Sequence, residues 1–234
     1  MKIKKQHLFE STGLSFLAGF VDTLGFVALF GLFTAHVTGN FVLIGASITR
    51  ESNSALLIKF MAFPAFIAGI AIIRLLVVII PNPEKKPLVT GIAIGFQLLF
   101  LLGFMFTGLA ATPIGNEQTP FLIFCGMLGA IAMGMHSAYT RLLMTHLPPT
   151  SMMTGNVTQI VLDFMELMLG RGNEYTWERI NKFSWPVIGF ATGAIGSAYC
   201  YLSFGFWALL IPIFILVSLL FIQKRYIFSS VSSI

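Results

Sequence analysis

In a chain as apolar as this one, few residues are equipped for chemistry, and the foremost is Asp22 in the run LSFLAGFVDTLGFVALF. A carboxylate among such neighbours costs at least about 2.5 kcal/mol to insert, so it requires a partner or a proton. On a helix beginning at Leu8, Asp22 stands about 21 Å along the axis, near the middle of a bilayer. Two chemistries fit it. It is either a cation or proton site whose occupancy couples to movement, or an acid that stays protonated or hydrogen-bonded and joins helices. The next candidates lie in a phrase that occurs twice, HVTGN at His36–Asn40 and MMTGN at Met152–Asn156. Gly39 and Gly155 permit a sharp turn, and Asn40 and Asn156 suit the cap of a following helix. A helix that starts inside a membrane aims free N–H groups and a positive dipole end at whatever fills the cavity. Thr38, Asn40, Thr154 and Asn156 would then line one central site; the plainer alternative is a turn and cap at the interface. His36 and His136 flank these features and suit proton relay near neutral pH, or simple hydrogen bonding within the packing. Ser137 adjoins His136, but neighbours on a helix diverge, which is poor geometry for a nucleophile and its base. No enzyme is expected, and no phosphate loop or metal-ligand spacing implies a cofactor or a metal.

These residues need a scaffold, and composition says which kind. Apolar residues make up 56% of the chain and charged residues only 10%, against roughly a quarter charged in a soluble domain. The apolar runs reach the ~20 residues that a bilayer crossing takes. The expectation is an all-α membrane protein forming one domain over 1–234, with spans at Leu8–Phe33, Leu56–Ile80, Leu88–Leu109, Phe121–Met144, Phe183–Phe204 and Phe206–Ile222. Two shorter segments, Phe41–Thr49 and Val157–Leu169, follow the Thr-Gly-Asn phrases and read as re-entrant or interfacial helices. The second is amphipathic, with Asp163 and Glu166 on a face expected to be solvated. Cys125 and Cys200 lie within apolar runs and read as small packing residues rather than a disulfide. The basic N-terminus resembles a signal peptide, but without a cleavage site it reads as a retained first span.

Basic residues set the orientation, because cytoplasmic loops carry the excess of Lys and Arg. With six crossings and both termini cytoplasmic, the inside receives Lys85, Lys86, Arg141, Arg171, Arg179 and Lys182 besides the terminal lysines and arginine, and the outside only Arg50 and Lys59. An eight-span alternative, in which both short helices cross, would put Lys85, Lys86 and Arg141 outside. Three spans per copy is an odd number, so the two copies, 8–109 and 121–222, enter the membrane in opposite senses as inverted repeats. AGFVD (Ala18–Asp22) falls opposite MGMHS (Met133–Ser137), pairing Gly19 with Gly134 and Asp22 with Ser137, and Pro64 sits opposite Pro186. Small residues recur every fourth position at Gly126, Ala130, Gly134 and Ala138 and at Gly189, Gly193 and Ser197. Such stripes let helices approach closely, in a monomer core or in a homodimer.

GFVD, the approach to T-G-N and the Met-Gly helix leading to MMTGN together resemble the YoaK family of bacterial multipass membrane proteins, a domain family of unknown function. The resemblance spans nearly the whole chain and implies an inner-membrane protein of about six spans. The family pattern often has Gln-Asn where this chain has His136-Ser137. The functional expectation is a secondary transporter or permease for an unknown small polar solute, working by alternating access with Asp22 carrying the coupling proton or cation. The alternative is a non-transporting scaffold or regulator in which the repeated turns are purely structural. The expected partners are membrane lipid and that solute; the positive charge belongs to cytoplasmic loops beside anionic lipid, and nucleic-acid binding is not implied.

Overall fold

The computed structural model describes residues 2–48, 56–115 and 119–231. Their regular structure is helical throughout: α1 (Lys2–Ala28), α2 (Val37–Ile48), α3 (Leu56–Ile79), α4 (Lys86–Ala110), α5 (Pro120–Leu143), α6 (Thr154–Met168), α7 (Glu174–Phe204) and α8 (Leu210–Val231), with short 3-10 turns at Pro83–Lys85 and Gly205–Leu209. Five apolar helical stretches are long enough to cross a membrane, at His7–Ala28, Leu56–Ile79, Pro83–Ala110, Pro120–Leu143 and Glu174–Phe221, the last running 48 residues from α7 into α8. The outer surface is as apolar as the core: Leu202 is 79% exposed, Ile79 74% and Val42 73%. That distribution requires a lipid solvent.

Local chemistry explains where the helices start and stop. Thr119 caps α5 by accepting a hydrogen bond from Leu122 N, and Asn173 and Thr176 form a reciprocal capping box at the start of α7. α7 therefore begins well before Phe183 and absorbs most of the polar stretch Arg171–Lys182. At 31 residues it is about 46 Å long, so its polar first turns overhang a hydrocarbon core of about 30 Å. α1 ends at Ala28 rather than Phe33, because Phe30 and Gly31 both adopt positive φ (53° and 75°) and reverse the chain. Gly39 and Gly155 do not make the turns expected of them. Both lie inside helices, α2 and α6, and the turns are made upstream.

The centre of the bundle is two pairs of helices in backbone contact. Along α7, Gly189 and Gly193 face the Thr12 and Phe16 carbonyls of α1, and Ser197 Oγ donates to Phe20 O at 2.7 Å. The constant register makes α1 and α7 parallel. Gly19 of α1 in turn faces Phe190 O. In the second pair, Gly126 of α5 meets Ile58 of α3, and Gly134 meets Phe66 O, so these helices are also parallel. Gly69 faces Ile131 O. Both small-residue stripes are thus covered within the chain.

The pairing scheme reads the same from either half. α1 packs on α7 as α5 packs on α3; α2 packs on α3 as α6 packs on α7; α4 packs on α5 as α8 packs on α1. Equivalent contacts match Phe16 with Ile131, Gly19 with Gly134, Phe66 with Phe190 and Gly69 with Gly193. By this register Pro64 corresponds to Ile188, two residues beyond Pro186, because the contact and not the proline sets the alignment. The first helix of each half is the most enclosed, with 67% of the α1 segment and 61% of the α5 segment buried.

α1 and α5 run antiparallel. Near the start of α1, Glu10 approaches His146 just past the end of α5 (3.4 Å), while beyond the end of α1 Leu32 packs on Gly126 near the start of α5. One end of the bundle therefore gathers the start of α1, the Lys85–Lys86 turn, Arg141 and the polar start of α7. Lys59, expected outside, lies in the first turn of α3, at the end of that helix opposite Lys85 and Lys86, and is buried beside Gly31. Arg50 lies outside the described residues.

A Cβ at Gly193 would collide with the Phe16 backbone, whereas Gly196, on the same helix, has open space. Gly193→Ala is expected to destabilise the protein by about 1–3 kcal/mol, the range for overpacking, and Gly196→Ala to leave it unchanged or slightly more stable. Thermal unfolding of both variants in the same detergent checks this.

Candidate functional site

Asp22 lies two turns before the end of α1 and is 3% exposed. The reversal after Phe30 brings the segment Phe33–His36 back over it. Asp22 Oδ1 accepts from Ala35 N (2.7 Å) and His36 N (3.3 Å), with Thr34 Oγ1 at 3.5 Å, and Oδ2 meets His36 Nδ1 at 2.6 Å. Asp22 thus holds the entry to α2, where a negative charge is favoured by the helix N-terminus. The pair connects inside to outside: the Asp22 side chain is 5% exposed and that of His36 32%. Phe190 of α7 packs edge-on against the His36 ring at 5.5 Å between centroids.

The two Thr-Gly-Asn phrases serve as clamps. Asn40, within the first turn of α2, donates Nδ2 to Phe33 O (2.8 Å) and accepts Phe33 N on Oδ1 (2.9 Å). Asn156, in α6, donates Nδ2 to Pro149 O (2.8 Å), again seven residues back. Proline has no N–H to return, and Asn156 Oδ1 is buried without a partner among the described residues. Thr38, Thr154 and Gly155 are exposed. Gly39 is required by packing, since a Cβ would press on the Phe33 ring.

His136 forms a second polar cluster, fully buried within α5. Its Nε2 meets Thr150 Oγ1 at 3.0 Å, and its Nδ1 faces Gln97 Nε2 at 3.4 Å and Tyr139 Oη at 3.3 Å. Tyr139 Oη donates to Gln97 Oε1 at 2.8 Å. Gln97, Tyr139 and Thr150 escaped the sequence reading, although a glutamine within the apolar run of α4 is a signal of the same kind as Asp22. Among the described residues no hydrogen bond joins the two clusters. Thr34 touches α5 at Gly129, two turns or about 10 Å from His136. The expected single central site is thus two polar clusters, each near the C-terminal end of the first helix of its half, with Ser137 beside the second.

Comparison with known proteins agrees that the chain is a membrane protein. The sequence profile of the DUF1275 family, described as "Protein of unknown function (DUF1275)", matches residues 11–222. The chain belongs to the DUF1275 family. It is also 25% identical over 220 residues to the UPF0700 transmembrane protein YoaK of Bacillus subtilis (strain 168), covering 92% of this chain and 95% of that protein. No solved structure matches it. This DUF1275 chain is a multipass transmembrane protein of a family whose function is unknown, as the resemblance read from its T-G-N phrases implied.

In this DUF1275 protein, α6 turns Asp163 inward, while Glu166 stays exposed. Asp163 is 1% exposed, while Met168 and Leu169 are 69% and 61% exposed. Rather than being solvated, Asp163 is bound by both arms of the Arg179 guanidinium, with Nε to Oδ2 at 2.8 Å, and by Gln159 Nε2 at 2.9 Å. An apolar outward face needs no water when lipid covers it, so the carboxylate is free to seek its partner on α7.

Two predictions follow from these contacts. Asn40→Ala removes two hydrogen bonds to the backbone and should cost about 1–3 kcal/mol, more than Asn156→Ala, which removes one to the backbone and a weaker one to Met153 Sδ; thermal unfolding of the two variants ranks them. The Arg179 hydrogen bonds hold the Asp163 carboxyl below the usual carboxylate range. Its native pKa being depressed, the pair stabilises above the ordinary carboxylate pKa and this is lost as pH falls through the native value. Asp163→Asn should therefore unfold at lower temperature than wild type at pH 7, with the gap closing at acid pH in a pH series of melting curves.

Proposed function

We propose that this chain is a small-solute permease of the bacterial inner membrane, crossing six times with both termini cytoplasmic, and built from two inverted halves. The observation that carries the reading is the buried Asp22 carboxylate paired to a partly exposed His36. In an apolar helix such a pair is maintained at a cost and suits the gain and loss of a proton or cation. Support for inversion comes from the antiparallel first helices, α1 and α5, and from the matching contact scheme of the halves. The collection of Lys85, Lys86 and Arg141 at the end where α1 starts favours six crossings over eight.

The glycine contacts change which bodies would move. Each tightly packed pair, α1 with α7 and α3 with α5, takes one helix from each half. Alternating access would then be a rocking of these cross-half pairs, with α6 riding on one and α2 on the other, rather than of half against half. The two polar clusters would lie toward opposite faces and be exposed in turn. The reading carries no catalytic step. A homodimer would use faces other than the glycine stripes, which are covered within the chain.

The scaffold reading has an observation of its own: Asp22 and Asn40 are fully satisfied by the turn they hold. Two measurements separate the readings. Single cysteines at Thr38 and Thr154, both exposed, in a background lacking Cys125 and Cys200, should react with impermeant thiol reagents from opposite faces; labelling from one face would refute the inverted arrangement. In proteoliposomes screened with small solutes against an internal pH dye, Asp22→Asn should lose at least tenfold in coupled proton movement while still reconstituting as a folded protein. A screen in which wild type moves nothing that the variant does not move favours the scaffold.

A further inference from the structure

In the first half, the Asp22 carboxylate takes the backbone N–H groups of Ala35 and His36 at the entry to α2. The contact that equates Gly19 with Gly134 puts Ser137 at the place of Asp22, and counting back from each Asn puts Ser151 and Met152 at the places of Ala35 and His36. The second half therefore has a chain reversal at the corresponding place without the acid. What stands there is a cavity of about 250 Å³, whose lining includes Ser137, Thr140, Arg141, Thr145, Thr150 and Ser151. By share of liquid volume it has room for about eight waters.

Three observations converge on the missing group. The amides of Ser151 and Met152 have no hydrogen-bond partner among the described residues. The entry to α6 has no side-chain cap, unlike that of α2. Arg141 makes no ion pair among the described residues, and no carboxylate is in the lining. Glu10 reaches the neighbouring segment but is turned to His146. A guanidinium with hydroxyls and free amides is the donor set of an oxyanion site.

We propose that this cavity binds a small oxyanion, a carboxylate or phosphate group, which takes in the second half the place that the Asp22 carboxylate takes in the first. Arg141 is its charge partner, and the Ser151 and Met152 amides with the Ser137 and Thr145 hydroxyls are its donors. Thr150 is shared between the cavity wall and His136, so the ligand connects to the buried Gln97–His136–Tyr139 cluster. The assignment rests on the correspondence of halves used above but not on transport. The oxyanion is carried either by a free solute or by an anionic lipid headgroup.

The test is binding of inorganic phosphate and of acetate to the full chain in phosphatidylcholine nanodiscs, followed by calorimetry and by thermal unfolding. Saturable binding is expected, weakened at least tenfold by Arg141→Gln, as loss of a charged hydrogen-bond partner implies. Ser137→Asp, which supplies the carboxylate from the chain itself, should abolish binding and raise the unfolding temperature in anion-free buffer, whereas Ser137→Ala, which removes one donor, should weaken binding without abolishing it and without raising the unfolding temperature. If free anions do not bind but phosphatidylglycerol is retained in mixed nanodiscs by wild type and not by Arg141→Gln, the source is the headgroup and the site stands. Absence of both, or binding indifferent to Arg141→Gln and Ser137→Asp, overturns it. Anion binding combined with labelling of Thr38 and Thr154 positions from one face would keep this site and discard the inverted reading; the opposite combination would do the reverse.

Discussion

Backbone contact through glycine, between α1 and α7 and between α3 and α5, is the constraint on which the rest of this protein depends. In lipid there is no hydrophobic gain from helix association, so packing closeness and polar links must supply it. Gly19, Gly69, Gly134, Gly189 and Gly193 each lie against a carbonyl of the facing helix. These contacts interlock the two halves. Helices α2 and α6 attach to α3 and α7 respectively, and α4 and α8 close around α5 and α1. The polar clusters are held at fixed depth because the helices that carry them cannot slide past one another.

The second governing condition is the absence of water around most of the chain. Polar groups inside must be satisfied by the protein, and the structure does this with short segments that fold back. Asp22 is met by the backbone of Ala35 and His36, Asn40 by both polar atoms of Phe33, and His136 by Thr150, Gln97 and Tyr139. Where the arrangement is incomplete, in the loop before α6, Arg141 and several hydroxyls line a cavity that holds no carboxylate. The difference between the halves is chemical rather than architectural. One has an acid within its turn, the other a serine and an arginine.

The sequence made much of this legible. Its apolar runs marked the spans, since a bilayer demands length and hydrophobicity that survive without any tertiary information. Asp22 stood out as a charge in a span, and the repeated T-G-N phrase pointed to both short helices. The stripes at Gly126–Ala138 and Gly189–Ser197 were visible as close-packing surfaces. Asp163 was misjudged because an amphipathic pattern was read with water on the polar side, whereas lipid on the apolar side reverses the orientation. Gln97 and Tyr139 were missed because a lone polar residue declares no partner, and theirs lies on another helix.

By itself the sequence determined that this is a helical membrane protein, which residues in it are costly to bury, and that its halves share a pattern. These follow from composition and from local spacing, which act on each segment alone. Tertiary structure alone decided that α1 pairs with α7 instead of α5, that the segment Phe33–His36 returns over Asp22, and that Gln97 meets His136 and Tyr139. Those outcomes depend on which of several small-residue stripes meet and on where a reversed chain lands. That is a property of contacts far apart in sequence, and no local pattern encodes it.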